Sequence, residues 1–166
     1  MTTDPATYVL EREFAAPREL VWRTLTEADL FCRWYGPNVD TIAHGFDPSP
    51  GGAGLIEMRM KDGSGYQRMD FIDVIPLSRI VWRGSNTDAE WTVTANLGMP
   101  DWPRPLLTTV ALTDTGGGTL LRLEWTPHNP TEAELACFAA AIGSLGQGWN
   151  AGMAVLEIML RELQQT

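Results

Sequence analysis

The last third of the chain constrains the fold most. From Leu135 to Leu163 apolar residues recur at intervals of three and four, as Leu135, Phe138, Ile142, Leu145, Trp149, Met153, Leu156, Leu160 and Leu163. That period marks one long helix with a single apolar stripe. Its entry reads PHNPTEAE: Asn129 is placed to cap, Pro130 to take the first helical position, and Thr131 with Glu134 has capping-box spacing. Within it, Gly143, Gly146, Gly148 and Gly152 sit in one ten-residue stretch, GSLGQGWNAG. Each interior glycine costs roughly 1 kcal/mol relative to alanine, so something must offset them. Gly148 and Gly152 share a face, where missing side chains either let the helix approach its partner closely or leave cavity room. A kink between Gly143 and Gly148 is the alternative. Trp149 belongs to the stripe and is expected to face the partner layer as a wall or plug.

A stripe of this length needs one broad apolar partner, and the preceding sequence supplies strands. TYVLEREF (7–14) alternates, with Tyr8, Leu10, Arg12 and Phe14 on one face. Two short helices are expected next. Pro17 stands at the first helical position, a Thr26–Asp29 capping box marks a break near 26, and Pro37 is the stop. VDTIAHGF, LIEMRM, YQRMDFIDVI and RIVWRG then read as four strands of a meander, separated by turn sequences at 47–52, 61–65 and 76–78. Residues 86–105 are less regular. EWTVT has the composition of a short strand, and Pro100, Pro103 and Pro105 describe a stiff, exposed loop carrying Trp102. LLTTVALT and TLLRLEWT form a hairpin across DTGGG. The fold class is therefore α+β: a mostly antiparallel sheet with one long helix across it, because each has one apolar face to cover. The 166 residues, 44% hydrophobic, read as one domain over 1–166.

Composition removes several functions. A net charge of −9 and a pI near 4.6 repel phosphate backbones, so no nucleic-acid partner is expected. Cys32 and Cys137 have neither disulfide nor zinc spacing, and no metal or cofactor is expected. The charge-free span Leu135–Leu156 carries four glycines, Ser144, Gln147 and Asn150 and is flanked by Glu132, Glu134 and Glu157, which argues against a membrane span. With no signal-peptide pattern at the start, a cytoplasmic location is expected.

No nucleophile elbow, zinc-protease helix, phosphate loop or Cys-x-x-Cys pair is present, and no catalytic residue is assigned. GGAGLI (51–56) is a turn. Polar residues on inward-reading faces are the candidates. Arg12 is expected either to pair with a sheet carboxylate such as Glu124 or Asp73 or to meet a ligand anion, and Arg59 shares a face with Leu55 and Glu57. Tyr66, Trp82, Trp91 and Trp125 are strand aromatics available either to a cavity or to ordinary core. His44 and His128 have no evident partner and read as solvated or singly hydrogen-bonded.

Taken in order, REF (12–14), APRELVW (16–22), WYGP (34–37), Asp47 with PGG (50–52), Pro76 before RIVW (79–82), TLLRLEW (119–125) and GQGWNAGMAVLEIML (146–160) resemble the activator of heat-shock-protein-90 ATPase homologue-like group. That group lies in the SRPBCC superfamily, related to START domains and the birch-pollen allergen fold. The resemblance covers nearly the whole chain. It implies a helix-grip fold, a curved sheet wrapped around the long C-terminal helix with a cavity between them, whose relatives bind lipids, sterols, polyketides or hormones or catalyse cyclisations. The chain departs from the pattern in its long proline-rich 86–105 loop and in Met69, where a strand glycine is common. The resemblance implies that Trp34, Tyr35 and Trp102 approach the cavity mouth. Together with Arg59, Tyr66, Trp82, Trp91, Trp149 and Met153 they form the expected ligand set, with Arg12 and His44 as polar pocket groups.

The functional expectation is a binding module for a small hydrophobic or amphipathic molecule, lipid included, in a carrier, sensor or stress-related role. The alternatives are an enzyme in the same cavity, with His44, Arg12 or Tyr66 as acid, base or orienting group, and a co-chaperone. Ala136, Ala139, Ala140 and Gly143, on the outer helix face, lead to an expected homodimer.

Overall fold

The structure, a computed structural model, describes residues 7–36, 38–96 and 98–165. The elements run β1 (Tyr8–Phe14), α1 (Arg18–Thr26), α2 (Ala28–Trp34), β2 (Asp40–Phe46), β3 (Ala53–Met60), β4 (Gly63–Ile75), β5 (Arg79–Thr87), β6 (Leu106–Asp114), β7 (Thr119–Pro127) and α3 (Glu132–Gln164). The strands form one curved antiparallel sheet in the order β1-β7-β6-β5-β4-β3-β2. Each of β2 to β6 pairs with its successor, across short turns except for the long 88–105 connection between β5 and β6, while α1 and α2 carry the chain between the two edges. This is the expected helix-grip architecture.

The alternation of β1 sorts as its sequence implies: Leu10 and Phe14 are buried, and Val9, Glu11 and Glu13 are exposed. Leu10 and Phe14 join Leu121 and Leu123 of β7 and Met153, Leu156 and Leu160 of α3 in the main core. A smaller cluster under the start of α3 holds Trp102, Leu106 and Phe138.

The helix termini depart from expectation by one or two residues. Thr131, not Asn129, is the N-cap of α3. Its hydroxyl accepts from the Glu134 N–H, and the Glu134 carboxylate accepts from the Thr131 N–H, which closes the capping box. Asn129 instead adopts a left-handed φ of 49°, and Pro130 precedes the helix. Pro17 is the N-cap of α1 and not its first helical residue. The break near 26 is present, but no Thr26–Asp29 box forms: Glu27 flanks both helices without a side-chain cap, and the Thr26 hydroxyl donates to the Trp22 carbonyl. Pro37, the expected stop, lies outside the described residues. EWTVT forms no strand and contributes one isolated bridge, Thr87 to Val93.

Helix α3 is continuous through all four glycines. Gly146 is where it approaches the sheet: a Cβ there would lie 2.8 Å from Tyr8 Cε2, and the Tyr8 hydroxyl donates to the Gly146 carbonyl over 3.3 Å. A Cβ at Gly143 or Gly148 would meet nothing within 4 Å. One glycine thus permits close approach and another leaves space. Ala136, Ala139, Ala140 and Gly143 are exposed. No helix among the described residues is long and apolar enough to cross a membrane.

Candidate functional site

Between α3 and the middle strands lies a cavity in two adjoining compartments. The outer, of about 210 Å³, is bounded by Trp34 at the end of α2, Tyr35 and Gly36 just after it, Gln67 of β4, Trp125 of β7, and Leu145, Gly148, Trp149 and Gly152 of α3. The inner, of about 70 Å³, is lined by Trp82, Gly84, Ser85 and Asn86 of β5, Leu106 and Thr108 of β6, and Trp102. Tyr35, Gln67, Trp125 and Trp149 line both.

The walls are aromatic and locked by contact with one another. Trp34 is 1% exposed, and its indole N–H donates to the Thr24 carbonyl over 2.9 Å, which fixes α2 against α1. Tyr35 stacks on Phe31 at 4.6 Å and meets Trp149 edge-on at 6.0 Å; Trp149 in turn stands at 79° to Trp125, 5.8 Å away. Such edge-to-face arrangements suit the ring quadrupoles and hold each ring against its neighbour.

Polar groups are few and uncharged. The Tyr35 hydroxyl donates to Gln67 Oε1 over 2.8 Å, which leaves the Gln67 amide N–H groups for other partners. Burial pushes the Tyr35 pKa up to about 12, so this phenol stays neutral as a donor at any ordinary pH. Thr108 and Trp82 are 2% and 3% exposed and line the inner compartment; their hydroxyl and indole N–H have no protein partner among the described residues. Trp82 Nε1 lies 3.6 Å from where a Gly84 Cβ would stand, so the bare glycine keeps the space beside that donor open. Among the described residues no Asp, Glu, Lys, Arg or His side chain lines either compartment, and no group of three metal-ligating residues occurs.

Of the expected ligand set, Trp34, Tyr35, Trp82, Trp102 and Trp149 line the cavity. Trp102 does so from within: it is 6% exposed, not displayed on a stiff loop. It packs on Trp125 at 5.4 Å and on Phe138 at 5.6 Å, because the 86–105 segment folds back onto the start of α3, where the Arg104 N–H donates to Glu134. Met153 is fully buried in the main core and lines neither compartment. Arg12 points toward α3 as its strand face implies, but it pairs with Glu157 at 3.0 Å; the expected partners Glu124 and Asp73 pair with Arg122 and Arg79.

His44, Arg59, Tyr66 and Trp91 stand outside the cavity. Cross-strand register pairs Glu57 with Tyr66 and Ile56 with Gln67, so the buried Ile56 carries Gln67 inward and Tyr66 falls on the opposite face. There His44, at a register shift in β2, meets Glu57 at 2.7 Å and Trp91 at 5.6 Å between ring centroids. Ser64 donates to the same carboxylate at 2.6 Å, and Arg59 approaches it at 3.4 Å. These donors, Ser64 and His44 before Arg59, hold the Glu57 pKa down to about 2. Because the folded value lies below the ordinary 4.5, the ionised form favours folding: its contribution is present above about pH 5 and is lost as pH falls toward 2. Glu57→Gln is accordingly expected to flatten this part of the acid limb. Urea midpoints measured from pH 6 to pH 2 should show the gap between wild type and variant closing as pH falls; a constant gap would exclude this linkage.

Gln67, Asn86 and Thr108 line the cavity without having been expected there. For Gln67 the signal lay in parity: Met69 and Phe71 are both buried, and Gln67 continues their face.

The model of the family described as Activator of Hsp90 ATPase homolog 1-like protein matches residues 15–161. No curated protein matches the sequence. Solved structures share the fold. Protein Ms6760 from Mycobacterium smegmatis is 19% identical with a TM-score of 0.78, over 96% of this chain and 93% of that one. A protein from Arthrobacter aurescens solved by NMR is 16% identical with a TM-score of 0.81, over 98% and 90%. Protein NE0264 from Nitrosomonas europaea is 22% identical with a TM-score of 0.73, over 99% and 100%.

Proposed function

This chain belongs to the Activator of Hsp90 ATPase homolog 1-like family, and from the cavity it builds we propose that it binds a small hydrophobic or amphipathic molecule between the sheet and α3. The observation that carries this reading is the bare Gly148 at the outer compartment, where a Cβ would meet nothing within 4 Å while indole and phenol rings form the walls. A glycine in mid-helix is costly, and here the space it leaves adjoins the outer compartment. Aromatic walls with a few hydrogen-bonding groups are the usual makeup of a small-molecule site.

Acid–base catalysis in this cavity would need two ionisable groups within reach of one point. Among the described residues Tyr35 is the one titratable group lining it, and its raised pKa makes it a poor proton carrier at neutral pH. The geometry therefore favours holding a ligand over transforming it. Native mass spectrometry of the protein purified from cells is expected to show a small-molecule adduct that denaturation releases. Bare protein from every expression host, together with no uptake from a panel of small aromatic and aliphatic compounds, would contradict the reading.

A further inference from the structure

We infer that the ligand is a flat, uncharged molecule of one or two fused rings carrying a hydrogen-bonding group such as a carboxamide or hydroxyl. This rests on the cavity being a binding site and specifies what the site selects.

Size sets the first limit. A cavity of roughly 150 Å³ lined by apolar side chains holds a benzene molecule, so the outer compartment of about 210 Å³ takes one or two rings. A drug-sized pocket begins at roughly 300 Å³, and neither compartment reaches it, so the part of a ligand held inside is small.

Shape sets the second. Trp149 stands at 65° to Tyr35 and 79° to Trp125, so the three rings form a corner that offers both faces and edges. A planar ring fits such a corner by offset or edge-to-face contact.

Charge sets the third. Among the described residues no cationic or anionic side chain lines either compartment, so a ligand carboxylate or ammonium enclosed there would be desolvated without a counter-charge. What the inner compartment does offer is neutral. The Thr108 hydroxyl and Trp82 indole N–H lack protein partners among the described residues, and Gln67 and Asn86 stand beside them. The inner compartment of about 70 Å³ has room for roughly two waters, and equally for one amide or hydroxyl group. The outer compartment therefore takes the ring, and the inner one its polar substituent.

Calorimetric titration of the whole chain with 2-naphthamide, 2-naphthoate, naphthalene and oleate at pH 7 tests this. The amide is expected to bind at least about tenfold more tightly than the carboxylate, because only the latter buries an unpaired charge. Thr108→Val and Gln67→Leu are expected to weaken the amide several-fold more than naphthalene, and retained naphthalene binding reports an intact fold. Binding of 2-naphthoate or oleate as tightly as the amide would overturn the ligand class. So would equal losses for amide and naphthalene in both variants. If such binding is still abolished by Gly148→Leu, the cavity reading stands and only the class falls. If no probe binds and the purified protein carries no adduct, both fall.

Discussion

Leucine in place of Gly148 is expected to abolish small-molecule binding while raising the melting temperature. Gly148 is exposed at the mouth of the outer compartment, and a Cβ there has open space, so the first atom of a new side chain meets nothing that must move. Replacing a helical glycine with leucine gains roughly 0.8 kcal/mol of helix propensity, which for a domain of this size corresponds to a rise of about 2–4 °C. The same side chain occupies volume that a ligand ring would use, so affinity should fall by at least about tenfold. Two changes of opposite sign in one variant distinguish this account from general damage. Gly146→Leu is the contrast, since its Cβ would press on Tyr8 at 2.8 Å; it should lower the melting temperature. Thermal unfolding and native mass spectrometry of both variants check the pair. A destabilised Gly148→Leu, or one that retains ligand, would show that the glycine serves the helix and not the cavity.

Trp34→Ala is expected to cost about 3–5 kcal/mol of folding stability, the range for a fully buried large aromatic. The indole is 1% exposed, packs against Phe31 at 5.3 Å and Tyr35 at 5.9 Å, and donates to the Thr24 carbonyl. Its removal leaves a void beneath the outer compartment, loosens the ring of Tyr35, and strands the carbonyl of a buried residue. Trp34→Phe retains most of the packing and deletes the hydrogen bond, so its separate loss should be about 1–3 kcal/mol. Urea unfolding of the two variants tests this. An alanine variant within about 1 kcal/mol of wild type would mean that α2 is not held as described.

These expectations depend on side-chain neighbours that only partly follow from the sequence. Periodicity placed α3 and the strands, because the stripe from Leu135 to Leu163 and the alternation in β1 are direct physical consequences of burial on one face. Strand parity was harder to read. In β3 apolar residues occupy both faces, Leu55 on one alternation and Ile56, Met58 and Met60 on the other, so Arg59 and Tyr66 looked as well placed as Gln67. A one-residue change of register moves every side chain across the sheet, and the pairing of Ile56 with Gln67 decides it. Trp102 illustrates a different limit. Three prolines around it imply a stiff segment, yet stiffness does not fix direction, and the segment turns inward because Trp125 and Phe138 offer an apolar surface. The helix glycines divided similarly: spacing showed that they were tolerated for a reason, but only the position of Tyr8 separates close approach at Gly146 from open space at Gly148.

Fold and family do not by themselves assign a ligand, so the account rests on the lining of one cavity. The seven tryptophans of the chain supply the most direct test, because each indole N–H gives its own signal in a nitrogen–proton correlation spectrum. Five of them line the cavity; the Trp34 N–H is committed to the Thr24 carbonyl, so Trp82, Trp102, Trp125 and Trp149 serve as the four cavity reporters, whereas Trp22 and Trp91 line neither compartment. Titration with 2-naphthamide should shift the four cavity signals together and saturably while the Trp22 and Trp91 signals stay fixed. Shifts confined to Trp22 or Trp91, or none at any of the four cavity indoles up to the solubility limit, would contradict the assignment of this cavity as the binding site.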